Sequence, residues 1–137
     1  MLAEYEHDPD ADSYGLEAAS ALSLDPTRVF KTLVVLLDGG LTVCIVPAGA
    51  TLDMRALGKH AALAPVQRAE RVTGYVAGGI SPLGQRRALP TLIDDTALQF
   101  KTVFVSAGRR GLQMELSPHD LVAATRAQVR KLRRDHQ

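Results

Sequence analysis

The chain is poor in the residues that metal sites, disulfides and nucleophilic triads need. One cysteine, Cys44, stands in 137 residues. A lone thiol closes no internal disulfide, and its scarcity suits a reducing, cytosolic setting. It cannot build a zinc site, and His7, His60, His119 and His136 form no HExxH or HxxxH pair. Ser81 and Ser106 have no His/Asp partner at a readable spacing. No hydrophobic run is long enough to span a bilayer. No basic stretch followed by an apolar one opens the chain, so a signal peptide is not expected. Excess charge is missing too: 16 Lys+Arg against 15 Asp+Glu leave a net charge of +1. Such a chain is no general polyanion binder, so any contact with nucleic acid must come from a local patch. Neither GK[ST] nor GxGxxG occurs, and there is no internal repeat or low-complexity segment.

What is present suits one globular domain over residues 1–137. Apolar residues make up 46% of the chain and charged residues 23%, enough for a real core. A short strand is expected at Glu4–His7, with Tyr5 and His7 on one face. The acidic DPDADS reads as a loop whose Ser13 caps a helix over Tyr14–Leu24. RVFKTLVVLLD is β-branched and apolar on both faces, as in a central strand, and Asp38-Gly39-Gly40 turns it into LTVCIVP. Two short helices are expected over Asp53–His60 and Pro65–Thr73, and a strand at TLID. KTVFVSAG and GLQMEL make a second hairpin around Gly108–Gly111. Ser117, Pro118 and Asp120 open a last helix whose stripe is Leu121, Thr125, Val129 and Leu132. The expected class is α+β: a mostly antiparallel mixed sheet or partial barrel, with helices packed outside.

Several residues sit awkwardly in that frame. Lys31 interrupts a run that should be buried on both faces. Burying an unpaired ammonium is costly, so its head must reach water, a partner or a ligand anion. Gly78 and Gly79 lack Cβ, which permits positive φ and lets a ligand approach the main chain; a plain connector would use them too. Arg86-Arg87 and Arg109-Arg110 suit either a solvated surface or phosphates. Arg126, Arg130, Lys131, Arg133 and Arg134 read as the last turns of the final helix, where they complement its dipole. Cys44 alternates with apolar neighbours and reads as core.

Taken together, YEHDP (Tyr5–Pro9), VFKTLVV (Val29–Val35), TGYVAGGISPLGQRRALPTLID (Thr73–Asp94) and VFVSAGRRGLQMEL (Val103–Leu116) resemble the YbaK/EbsC family of aminoacyl-tRNA deacylases. That family is related to the editing domain inserted in bacterial prolyl-tRNA synthetases. The chain is most similar to its Cys-tRNA(Pro) deacylase branch. The resemblance implies removal of a mischarged small amino acid from tRNA, most often cysteine from tRNA(Pro), where the substrate's own thiol attacks the ester and leaves as a cyclic thiolactone. An alanine-specific enzyme with an activated water, and a non-catalytic module binding tRNA or a synthetase, are the alternatives. No metal or cofactor is implied.

The resemblance also implies roles. Lys31 matches the family's lysine, which holds the terminal phosphate or the reacting ester. Gly78 matches the loop glycine facing the aminoacyl group, with Gly79 beside it. Ser106 lines the same pocket, Thr32 adds a hydrogen bond, and Tyr5 and Tyr14 match aromatic positions on the rim. Arg86, Arg87, Arg109 and Arg110 would meet the acceptor end of the tRNA, with prolyl-tRNA synthetase as a partner. Two departures stand out. The chain has almost nothing where relatives carry a helix ahead of the YEHD-like strand; either its start is short or the domain is covered differently, as a homodimer would do. Gln113 stands in GLQME where an aspartate is common, which bears on recognition of the substrate's α-ammonium.

Overall fold

The computed structural model describes residues 1–7 and 13–135. Asp8 and Pro9 of YEHDP, most of the DPDADS loop, and His136 lie outside the described residues. In order, the elements are β1 (Leu2–Glu4), α1 (Tyr14–Ala21), β2 (Phe30–Leu37), β3 (Gly40–Pro47), α2 (Met54–Leu57), β4 (Ala62–Leu63) and α3 (Val66–Thr73). They continue through β5 (Thr91–Asp94), β6 (Val103–Ser106), β7 (Leu112–Leu116), α4 (Pro118–Thr125) and β8 (Gln128–Arg130). The fold is α+β, with two sheets ordered β1-β7-β6 and β4-β2-β3-β5-β8 and no closed barrel. A parallel bridge between Val29 and Phe104 joins them.

The β2–β3 hairpin is the spine. Asp38 (φ 52°) and Gly39 (φ 79°) both take the left-handed conformation that a tight two-residue hairpin turn needs. From Leu41 to Val46 every residue of β3 is buried, which explains its unbroken apolar run. One side packs Phe30, Val43, Ile45, Ile93, Val105 and Leu121. The other packs Val35, Cys44, Val46, Leu52, Leu92 and Leu132. Each such large side chain contributes about 1.5–3 kcal/mol by leaving water.

One edge of the spine stays open. The two-residue β4 pairs only with Val35 and Leu36 of β2, and Ala64 N–H reaches back to Val34 O at 2.9 Å. Main-chain groups of alternate residues point the same way. Those of Thr32 therefore face the same edge, beyond the reach of β4.

Two expectations need correction. The first strand lies at Leu2–Glu4, earlier than Glu4–His7, because its partner is β7: Glu4 is level with Leu112, where the ladder ends. The sheet is mixed, as expected: β5 runs parallel to β3 and β8 parallel to β5. The last helix stops at Thr125. Arg126 takes the left-handed conformation (φ 55°) and donates its N–H to Val122 O, and the chain then turns to form β8. Val129 is thus in a strand, Leu132 lies beyond it in the core, and the basic run after Arg126 lies in no helix.

Buried Asp94 holds this C-terminal segment. Its Oδ1 accepts from Leu132 N–H (2.7 Å) and Arg133 N–H (3.1 Å), and Arg133 Nη1 lies 3.2 Å from Oδ2. Burial alone would raise its pKa, but the donors from Thr96, Leu132 and Arg133 outweigh it and hold the carboxyl below the usual 3.8. A depressed carboxylate contributes stability that is full above the unfolded-state value and is lost as pH falls through the folded one. Asp94→Ala is expected to cost about 2–4 kcal/mol in urea unfolding, and to reduce the acid-induced loss of stability below pH ~4. An equal acid transition in both proteins would contradict this.

Candidate active site

The open edge of β2 forms one wall of a cleft of about 570 Å³. The second wall is the start of α1 and the Ala48–Thr51 loop; the third is α3 with the loop that follows it. Ser106 and Gln113, a cross-strand pair of β6 and β7, close the end. Lys31, Thr32, Gly78, Ser106, Gln113 and Tyr14 thus come together on one concavity from five separate stretches of chain.

Lys31 answers the problem that its position poses. Its stem runs out along the sheet and Nζ donates to Ala50 O at 2.8 Å. Partial burial pushes its pKa below the ordinary 10.5, and among the described residues no carboxylate pairs with it. The same cleft holds two buried oxygens with no partner among the described residues, Thr32 Oγ1 and Gln113 Oε1. Gln113 is only 6% exposed. Such orphaned oxygens are costly in a free protein and suit a donor brought by a ligand. Ser106 Oγ accepts from Gly108 N–H at 3.2 Å, which leaves its own hydrogen free to donate.

The two glycines divide the work. Gly78 lines the cleft at φ +83°, and a Cβ there would lie 2.7 Å from the Tyr14 ring and 2.8 Å from Arg110 Nε. Gly79 is buried outside the cleft; its N–H is spent on Val76 O (2.9 Å), and a Cβ would meet Arg109 Cα at 2.8 Å. Gly78 alone therefore presents main chain to the concavity, while Gly79 lets the loop close onto the β6–β7 turn.

The rim residues sort differently from the sequence reading. Tyr14, 36% exposed, sits at the mouth with the Arg110 guanidinium 4.8 Å from its ring centroid. Arg110 Nε also donates to Ala77 O at 2.7 Å, so this arginine clamps the glycine loop. Arg109 pairs with Glu4 at 2.8 Å on the surface. Tyr5 does not line the cleft. Burial raises its phenol pKa against the opposing effect of the Gly111 main chain and of a hydrogen bond with the Gln113 side chain. Arg86 and Arg87 are exposed and make no ion pair among the described residues.

Other contributors carry no sequence signal. Ala50 acts through its carbonyl, and Glu70 fixes the loop by accepting from Ala77 N–H at 2.7 Å. Leu63 and Val66 add exposed apolar surface at the mouth. Cys44 takes no part: it is fully buried, and desolvation raises its thiol to about 11. A second hollow of similar size lies behind the Gly49–Ala50 ridge, lined by Pro26, Phe100 and Arg134 among others.

Residues 8–124 match the model of the aminoacyl-tRNA editing domain. The chain is 34% identical over 136 residues to EbsC of Enterococcus faecalis, provisionally named a Cys-tRNA(Pro)/Cys-tRNA(Cys) deacylase, covering 94% of this chain and 83% of that one. It superposes with a TM-score of 0.84 and 26% identity on a crystal structure described provisionally as a trans-editing enzyme for prolyl tRNA synthetase; the match covers 98% of this chain and 86% of the other. A crystal structure of a hypothetical protein gives a TM-score of 0.83 at 28% identity over 96% of this chain and 89% of that one. With the lysine, the glycine loop and the Ser106–Gln113 pair meeting on one cleft, the chain belongs to the aminoacyl-tRNA editing domain family, in its YbaK/EbsC group.

Proposed function

We propose that residues 1–137 act as one editing domain that strips a mischarged small amino acid, cysteine first, from the acceptor end of tRNA(Pro). The observation that carries this reading is the polarity of the cleft: one cation, Lys31, and two oxygens without a partner among the described residues, Thr32 Oγ1 and Gln113 Oε1, line the same concavity. An aminoacyl ester has the complementary ends. Its carbonyl or the neighbouring phosphate meets the ammonium of Lys31, and its α-ammonium donates to the two acceptors. A volume of about 570 Å³ lies within the range of small-ligand sites.

The cleft supplies orientation and charge, with no cysteine and no Ser–His pair of its own. That suits a substrate carrying its own nucleophile. The cysteine sulfur attacks the ester carbonyl carbon, a C–S bond forms, and the C–O bond to the terminal ribose breaks. The ribose oxygen takes up the proton that the thiol gave away, and a four-membered thiolactone and free tRNA are released. Negative charge gathers on the carbonyl oxygen during the attack, where the Lys31 ammonium stabilises it. Holding thiol and ester in line provides an effective concentration of up to about 10⁵–10⁸ M.

Gln113 keeps an acceptor where a carboxylate would add charge, so binding of the α-ammonium is weaker but geometrically intact. The work is done in trans, in the cytoplasm and beside prolyl-tRNA synthetase, with a second copy covering the β1 face. A panel of Cys-tRNA(Pro), Ala-tRNA(Pro) and Pro-tRNA(Pro) tests the reading. Rapid loss of the cysteinyl ester is expected, with prolyl ester spared. Preferential loss of the alanyl ester would transfer the site to the water-dependent reaction. Loss of neither above the spontaneous rate would end both deacylase readings.

A further inference from the structure

Several of the 16 Lys and Arg residues are already committed. Arg28 pairs with Glu115, Arg109 with Glu4, Lys131 with Asp135, and Arg133 with Asp94 and Asp95. Arg110 and Arg130 bond main-chain carbonyls. Four arginines gathered at one place are different. Arg68 and Arg71 of α3, and Arg86 and Arg87 of the following loop, are exposed and hold no ion pair or side-chain hydrogen bond among the described residues.

They are also contiguous. Positions 68 and 71 are neighbours on the helix surface, about 5–6 Å apart at Cβ. One further step of three reaches Gly74, the left-handed C-cap (φ 82°). The site a Cβ would occupy on Gly74 lies 3.5 Å from Arg86 Cβ and 3.7 Å from Arg86 Nε, and Arg86 N–H bonds Thr73 O at 2.9 Å. Arg86 therefore takes the next place in the row. Glu70, the single acidic residue of α3, is turned away and bonded to Ala77 N–H. The helix shows Val66 and Ala69 to the cleft, and its arginines to solvent on the outside of the same wall.

We infer that the outer face of α3, with Arg68, Arg71 and Arg86 in line and Arg87 beside them, is a binding surface for RNA phosphates. It rests on the reading of the cleft as an aminoacyl-tRNA site and names where the strand leaving that cleft is gripped. The guanidinium groups are unpaired, planar and weakly hydrated, and they concentrate positive charge that the whole chain, at +1, lacks. Phosphates running away from a 3′ end held near Gly78 would cross this row, whereas the sequence reading had assigned that contact to Arg109 and Arg110 as well.

The test measures binding of uncharged tRNA by fluorescence anisotropy across a salt series, and separately kcat and KM for deacylation. For Arg68→Gln/Arg71→Gln, the slope of log K against log salt should shrink by about 1.4–1.8, from two lost phosphate contacts. KM should rise with kcat unchanged. Lys101→Gln, which removes another exposed unpaired cation away from α3, should leave both as they are. Wild-type deacylation with the same slope and KM in the double variant would overturn the surface and spare the active-site reading. A wild-type protein that neither binds tRNA nor deacylates it would overturn both.

Discussion

Lys31→Met should lower deacylation by about 10²–10³-fold while the protein stays folded, the scale on which a single charge-stabilising group acts. The ammonium is half-buried and, among the described residues, bonded only to Ala50 O, so the cost of its partial desolvation is present in the free protein. An unbranched apolar side chain of similar length removes that cost and leaves the Ala50 carbonyl at an open cleft where water reaches it. The variant should therefore melt at or above the wild-type temperature, exchanging activity for stability. The defect should lie in kcat more than KM, because the charge it stabilises is greatest in the transition state.

The pH dependence follows from the sign of the shift. A lysine whose folded pKa is depressed loses its proton earlier than one in the unfolded chain. The activity that needs the ammonium should fall as pH rises through a value below 10.5, once the spontaneous ester loss is subtracted. Stability moves the other way: the cost of the charged form, present at neutral pH, is relieved as pH rises through the folded value toward the unfolded one. In Lys31→Met both dependences disappear. Wild-type kcat in this variant would remove the chemistry assigned to Lys31.

Gly78→Ala should be the second large effect. At φ +83° a side chain is strained, and this one would also strike the Tyr14 ring at 2.7 Å and Arg110 Nε at 2.8 Å. Together these are expected to cost about 1–3 kcal/mol and, by moving the rim, to cut deacylation by at least tenfold. Gly39→Ala separates the two causes. It has nearly the same backbone (φ +79°) with nothing within 4 Å, so it carries the conformational cost alone, about 1–2 kcal/mol, with full activity. Urea unfolding and deacylation rates on both variants distinguish a glycine that makes room at the cleft from one that only turns the chain. Equal behaviour of the two would reduce Gly78 to a turn residue.

The parts of the fold legible in the sequence were those with local causes. Ser13 and Ser117 each cap the helix they precede, and Asp38-Gly39 makes the hairpin. The final helix was misread because Val129 and Leu132 continue a helical spacing by coincidence; β5 and the donors that Asp94 accepts draw them into strand and core. No local pattern records a parallel pairing between segments so far apart. The site followed the same division. Lys31 was conspicuous because a charge interrupts a strand, and Gly78 because glycines cluster. Ala50 acts through main chain, which every residue has, and Arg68 and Arg71 look like any solvated helix face until the pairings of the other cations are known. Arg109 and Arg110 show the converse: adjacent arginines suggested RNA, and the structure commits one to Glu4 and the other to Tyr14 and Ala77.

The most direct measurement is a titration of the labelled protein with a non-hydrolysable 3′-cysteinylamido-adenosine, followed by amide resonances. Saturable shifts at Lys31, Thr32, Gly78, Ser106 and Gln113, weakened by Lys31→Met, are the expected result. Shifts confined to the hollow around Phe100 and Arg134, or no saturable shift at all, would contradict the claim that this lysine and this glycine loop together hold an aminoacyl ester.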